Sequence, residues 1–175
     1  AEHLWRELGN KDLISFAEWP VADEKLINSK IELSEELLAR TVEDIESIKK
    51  LIQITPKSLT IVLAPAWKHE VFRTIAQSTD RNTVIKEIMK NDAMKKRGKE
   101  ATDAAKQCTT LIHRLPPHVV EPLAKEPLNE RAVFEAAQAF LEHEFGVPVH
   151  ITDAESSGHA KGATALPFKP AIVIE

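Results

Sequence analysis

The 175-residue sequence has no tyrosine, a single cysteine, two methionines and only five glycines. One cysteine, Cys108, excludes an internal disulfide and a cysteine-rich zinc site, and fits a reducing compartment. Five glycines and ten prolines are too few for a collagenous or low-complexity chain. No apolar run approaches the ~18 residues of a membrane span, so no membrane partner is expected. A basic excess is missing as well. The chain carries 23 Lys and Arg against 27 Asp and Glu, and its pI near 6.0 argues against a nucleic-acid coat protein. What remains is 43% hydrophobic and 29% charged residues with a mean hydropathy of -0.24, the profile of a soluble globular domain.

Catalytic signatures are equally scarce. There is no G-x-G-x-x-G, no P-loop and no G-x-S-x-G. His69-Glu70 and His143-Glu144 each lack the second histidine of a zinc-protease helix. Cys108 falls on the apolar face of a helix, where core packing is favoured over a nucleophile's role.

The chain opens inside a helix, with Leu4, Trp5 and Leu8 on one face and no cap before them. It lacks the pattern of a secretory leader and is expected to be cut from a longer protein. Gly9-Asn10 stops that helix, and Trp19-Pro20 marks a boundary between two units. Ser34, with Glu35 and Glu36 behind it, is the expected cap of a long helix over 34–53 carrying Leu37, Leu38, Val42, Ile45, Ile48, Leu51 and Ile52. Residues 59–64 read as a buried strand. Helices follow from Pro65, over 83–90 and from near Lys99 to the stop at Pro116-Pro117. Asn129 caps another, with Val133, Ala136, Ala137, Phe140, Leu141 and Phe145 inward and Gly146 ending it. Strands near 147–151 and 171–174 close the chain around a connection over 152–170, long enough to be functional or disordered. The fold class is α/β of an α+β-like kind: helices on a small mixed three-stranded sheet.

Charge is unevenly spread. Residues 1–56 hold 7 basic and 12 acidic side chains, and residues 57–175 hold 16 and 15, so an anionic partner belongs on local patches of the second part. The densest patch is Lys95-Lys96-Arg97 with Lys99, either a solvated turn or a phosphate contact. Lys161 and Lys169 add charge in or beside the long connection, where Gly158 and Gly162 would admit close backbone approach to a ligand. The acids Glu35, Glu36, Glu43, Asp44 and Glu46 read as a solvated helix face, and Trp5, Trp19 and Trp67 as core, with an interdomain contact as the competing reading of Trp19.

Three segments together resemble one family. Ala64-Pro65-Ala66-Trp67-Lys68 after a buried strand, Met94 to Glu100 at a helix start, and above all Pro167-Phe168-Lys169-Pro170-Ala171-Ile172-Val173-Ile174-Glu175 are similar to the far C-terminal region of archaeal leucyl-tRNA synthetases. Residues 1–20 resemble the end of the anticodon-binding helical bundle of class I synthetases, which leaves 21–175 as a C-terminal tRNA-binding domain. The resemblance implies a full-length ligase that joins leucine to tRNA(Leu) with ATP and Mg²⁺ in the cytoplasm. Its signatures, His-Ile-Gly-His and Lys-Met-Ser-Lys-Ser, are not in this sequence, so the segment alone is expected to be non-catalytic and without a cofactor. Met94-Lys95-Lys96 is not the second signature.

The resemblance also implies that the closing residues reach the tip of the long variable arm. Lys169, Pro170, Ile172, Val173, Ile174 and Glu175 are then the contacting segment, with the last two or three on RNA and the rest in the sheet. Lys95, Lys96, Arg97, Lys99 and Lys161 are candidates for backbone contacts, because RNA helices are held through phosphates and unpaired bases carry the sequence information. The competing readings are a protein-interaction module using the acidic helix 34–52 and a small enzyme with its site in the 152–170 connection.

Overall fold

A computed structural model describes residues 1–53, 56–78, 81–156 and 158–175. The elements run α1 (Glu2–Glu7), 3-10 turns at Ile14–Phe16 and Glu24–Leu26, α2 (Ser29–Ile52), β1 (Leu59–Leu63), α3 (Ala66–Gln77), α4 (Arg81–Ile88), α5 (Asp92–Arg97), α6 (Lys99–Arg114), α7 (Pro117–Lys125), α8 (Glu130–Phe145), β2 (Val149–Asp153), a 3-10 turn at Ala160–Thr164 and β3 (Ala171–Ile174). The sheet order is β2-β1-β3, with β1 parallel to β2 and antiparallel to β3. The mixed three-stranded sheet covered by helices is the expected fold class.

All five residues of β1 are buried. Leu59, Ile61 and Leu63 face the main core, which also holds Leu37 and Ile45 of α2, Val71 and Phe72 of α3, Cys108 of α6 and Phe134 and Leu141 of α8. Val62 faces the other way, into a smaller cluster with Ala64, Ala165 and Ala171. Helices therefore cover one face of the sheet, and the segment around the 160–164 turn covers the other.

Several boundaries differ from the sequence reading. α2 starts at Ser29, because the Asn28 side chain accepts from the Lys30 amide at 3.0 Å. Ser34 lies inside the helix and donates back to the Lys30 carbonyl at 2.7 Å, the competing use of a serine hydroxyl. The Leu33, Leu37, Thr41, Ile45 stripe carries the burial, whereas Leu51 and Ile52 are exposed. β2 begins at Val149 rather than 147. α7 was not foreseen: Pro117 does stop the preceding helix, but it also sits at the first helical position, where a missing N–H costs nothing. Pro122 lies inside α7, where it forgoes an amide hydrogen bond, and the neighbouring Val119 and Leu123 are buried. In α8 the inward stripe is Glu130, Phe134, Leu141 and Phe145, so Phe140, 50% exposed, and Ala136 point outward. Trp67 is buried, but Trp19 is 90% exposed, which overturns the core reading for it.

The 160–169 part of the connection is held by buried polar groups. Lys68 of α3, 2% exposed, donates its ammonium to the Ala163 and Ala165 carbonyls at 2.6 and 2.7 Å. Burial lowers its pKa. Leu166 and Lys169 exchange both backbone hydrogen bonds at 2.9 Å around Pro167-Phe168, with Phe168 at φ 61. Gly162 serves internal packing rather than a ligand, since a Cβ there would lie 3.2 Å from the Ala154 carbonyl oxygen.

Lys68→Ala strands two buried carbonyls and is expected to cost about 1–3 kcal/mol. Hydrogen exchange should accelerate in the 162–166 amides before it does in α6. Trp19→Ala should leave stability within about 0.5 kcal/mol in chemical denaturation.

Candidate nucleic-acid interface

α5 and α6 meet at Gly98, whose φ of 50 lets a single connecting residue end one helix and start the next. That junction displays Lys95, Lys96 and Lys99 on the surface, with Lys95 3.6 Å from Asp92. Arg97 differs. Its guanidinium lies 4.6 Å from the Trp67 ring centroid and is paired with Glu100 at 3.4 Å and Glu155 at 3.2 Å. A planar cation stacked on indole and held by two carboxylates clamps α5 to α3 and to the turn after β2. The other three lysines are the outward charges of this cluster.

The tail divides by burial. Pro170 and Ile172 are buried, Val173 and Ile174 are half-buried, and Glu175 and Lys169 are exposed. The Glu175 carbonyl accepts from the Lys57 and Ser58 amides, and its own amide donates to Ser58 at 3.1 Å. The Glu175 backbone is thus committed to the residues that lead into β1, while β3 is an edge strand with its other side open. Lys161 is exposed but reaches the Ile172 carbonyl at 3.3 Å, which bridges the 3-10 turn to β3. The Lys95–Lys99 cluster and Glu175 lie on different parts of the fold. Lys169, by contrast, lines an open groove of about 340 Å³ together with Lys106 and Arg114 of α6. The sequence reading did not group these three. Lys99, Lys106 and Arg114 are spaced by seven and eight, a single helix face, and that spacing is the signal that would have found them.

A second cavity, about 420 Å³, opens beyond Leu63 and Asp153, at the carboxyl ends of the parallel pair β1 and β2. Its lining includes His69, Arg73, Arg131 and Glu130. Glu130 is 4% exposed, and its Oε1 accepts from the Phe168 amide at 2.7 Å while Oε2 has no partner among the described residues. Burial pushes its carboxyl up to about 7, against the lowering effect of the Phe168 amide. Burial lowers His69, opposed by a hydrogen bond to the Ala64 backbone. Among the described residues no Ser, Thr, Cys or Lys lines this cavity, whereas the carboxylates Glu70 and Asp153 do. Burial raises the Cys108 thiol to about 12, which keeps it protonated and inert. Among the described residues no group of His, Cys, Asp and Glu is placed to hold a metal ion, and no helix is long and apolar enough to cross a membrane.

Residues 1–64 match the family model for the anticodon-binding domain of tRNA ligase. The whole chain matches leucine–tRNA ligases: 34% identity with that of Methanosarcina acetivorans, 35% with that of Methanocaldococcus jannaschii and 32% with that of Pyrococcus abyssi, over 99% of this chain each time. Nearly the whole of this chain is similar to one part of the archaeal leucine–tRNA ligases. It spans 17–19% of the length of those relatives. The family model covers α1, α2 and β1, while the relatives align through the groove and the tail as well.

The raised Glu130 sets a pH dependence. Its folded-state pKa lies above the ordinary 4.5, so the native state holds the proton more tightly than the unfolded chain does. Stability from this group is full below pH 4.5 and is lost as pH rises through 7. Glu130→Gln should remove that loss, so its melting temperature relative to wild type should rise from pH 5 to pH 8. The difference corresponds to roughly 3 kcal/mol at most.

Proposed function

We propose that this chain is the C-terminal tRNA-holding part of a leucine–tRNA ligase, gripping the long variable arm of tRNA(Leu) while the rest of the enzyme performs aminoacylation. The observation that carries the reading is the alignment of 99% of the chain with leucine–tRNA ligases. ATP and Mg²⁺ belong to the catalytic part of the cytoplasmic enzyme.

Residues 1–20 close the anticodon-binding helical bundle, and 21–175 form the appended domain. The exposed Phe16, Trp19, Val21 and Leu26 support this division, because an apolar surface of that kind calls for covering by the rest of the synthetase. On RNA, Glu175, Lys169 and the outward sides of Val173 and Ile174 meet the arm, and the buried Pro170 and Ile172 hold them in place. Lys95, Lys96 and Lys99 supply phosphate contacts, with Arg97 and Lys161 bracing the scaffold behind them.

The acidic helix is a weaker candidate for a protein contact. Glu36 is paired with Arg40 at 2.7 Å and with His118 of α7 at 3.0 Å, and Glu46 with Lys49 at 3.0 Å. Burial would raise Glu36, but these two hydrogen bonds outweigh it and hold the carboxyl below its usual range. Two of the five acids on this face, Glu36 and Glu46, are therefore paired within the fold.

Gel-shift titration with intact tRNA(Leu) and with the variable arm shortened tests the proposal. Shortening the arm should weaken binding by about tenfold or more, at least 1.4 kcal/mol. Equal binding of the two RNAs, or formation of leucyl-adenylate by this chain alone, would overturn it.

A further inference from the structure

Lys106, Gln107, Thr110 and Arg114 of α6 form one wall of the 340 Å³ groove, and Thr164 and Lys169 form the other. Among the described residues no carboxylate lines it. The two threonines spend their hydroxyl protons on backbone, Thr110 on Lys106 and Thr164 on Lys161. Three cations and one amide are left facing an open channel floored by Leu111 and Leu166. Lys106 has only a loose partner, Asp103 at 3.9 Å, and no ion pair is formed by Arg114 or Lys169 among the described residues.

These charges come from distant parts of the chain, and the fold fixes them together. Lys169 sits on a turn tied by its two hydrogen bonds with Leu166, beside the buried Phe168 that Glu130 holds. Lys106 and Arg114 stand on a rigid sixteen-residue helix. Like charges held this close repel one another and cost stability unless a polyanion neutralises them. The same α6 face continues past Asp103 to Lys99, so its three cations are spread over roughly 22 Å at 1.5 Å per residue, much longer than one small anion.

We propose that this groove is a track for the sugar-phosphate backbone of RNA, with Lys106, Arg114 and Lys169 as its phosphate contacts. The inference rests on the tRNA-holding reading and adds to it a second, sequence-independent grip beside the tail. Phosphate contacts position the nucleic acid and base contacts specify it, so this track would set the approach of the strand that the closing residues read.

The test is tRNA binding by the chain across a salt series, with wild type, Lys106→Ala/Arg114→Ala and the charge-keeping Lys106→Arg/Arg114→Lys. The substituted side chains are exposed, and circular dichroism checks that each variant folds. Each lost contact should reduce the slope of log K against log salt by about 0.7–0.9. The alanine double variant should therefore lose affinity for intact tRNA, and the charge-keeping variant should retain most of its binding. Unchanged affinity and slope in the alanine variant, with wild type binding normally, would overturn the groove alone. Wild type that binds no tRNA at any salt would overturn the tRNA-holding reading and the groove with it.

Discussion

The central strand needs partners on both edges, and neither comes from nearby sequence. Leu59–Leu63 is buried throughout, so its backbone amides and carbonyls must be paired within the protein. Leu59 is opposite Val149 on one side and Ile174 on the other. The sheet is complete only when the closing residues return and lie against β1. Everything proposed for the tail follows from this. A segment locked into a sheet edge presents its outward side chains at fixed positions, and a pre-organised contact loses less entropy on binding than a free peptide would.

A similar economy governs the charged residues. Lys68, Glu130 and Arg97 are turned inward. Lys68 ties α3 to the 160–165 segment, Glu130 ties α8 to Phe168, and Arg97 joins Trp67 to Glu100 and Glu155. All three contacts converge on the part of the chain that precedes β3. Polar groups buried with a partner are costly to disturb, so they set the path of the connection as firmly as apolar packing does. The remaining cations, Lys95, Lys96, Lys99, Lys106, Arg114 and Lys169, stay on the surface. A net charge of -4 therefore coexists with a locally positive face.

The elements with strong local signals were legible beforehand. β1 is a continuous β-branched apolar run, α6 places Ala101, Ala104, Ala105, Cys108 and Leu111 on one stripe, and Asn129 and Gly146 bracket α8 as a cap and a left-handed stop. Legibility failed where two local readings were equally good. Asn28 and Ser34 are both acceptable caps. Phe134 and Phe140 differ by six residues and point to different sides of α8, where apolar residues surround the helix. Pro117 both ends one helix and starts another.

For the candidate site the split has a physical cause. The tail and the Lys95–Lys99 run could be named from sequence, because a local cluster of charge and a terminal motif are contiguous in the chain. Which of their members face outward was not contained there: Arg97 is committed to Trp67, and Pro170 and Ile172 to the interior. Nor could sequence place Lys169 beside Lys106 and Arg114, since that neighbourhood exists only after β3 pairs with β1 and the Leu166–Lys169 turn closes. Local periodicity and charge are properties of adjacent residues. Burial and convergence depend on contacts between distant ones, and those belong to the tertiary structure.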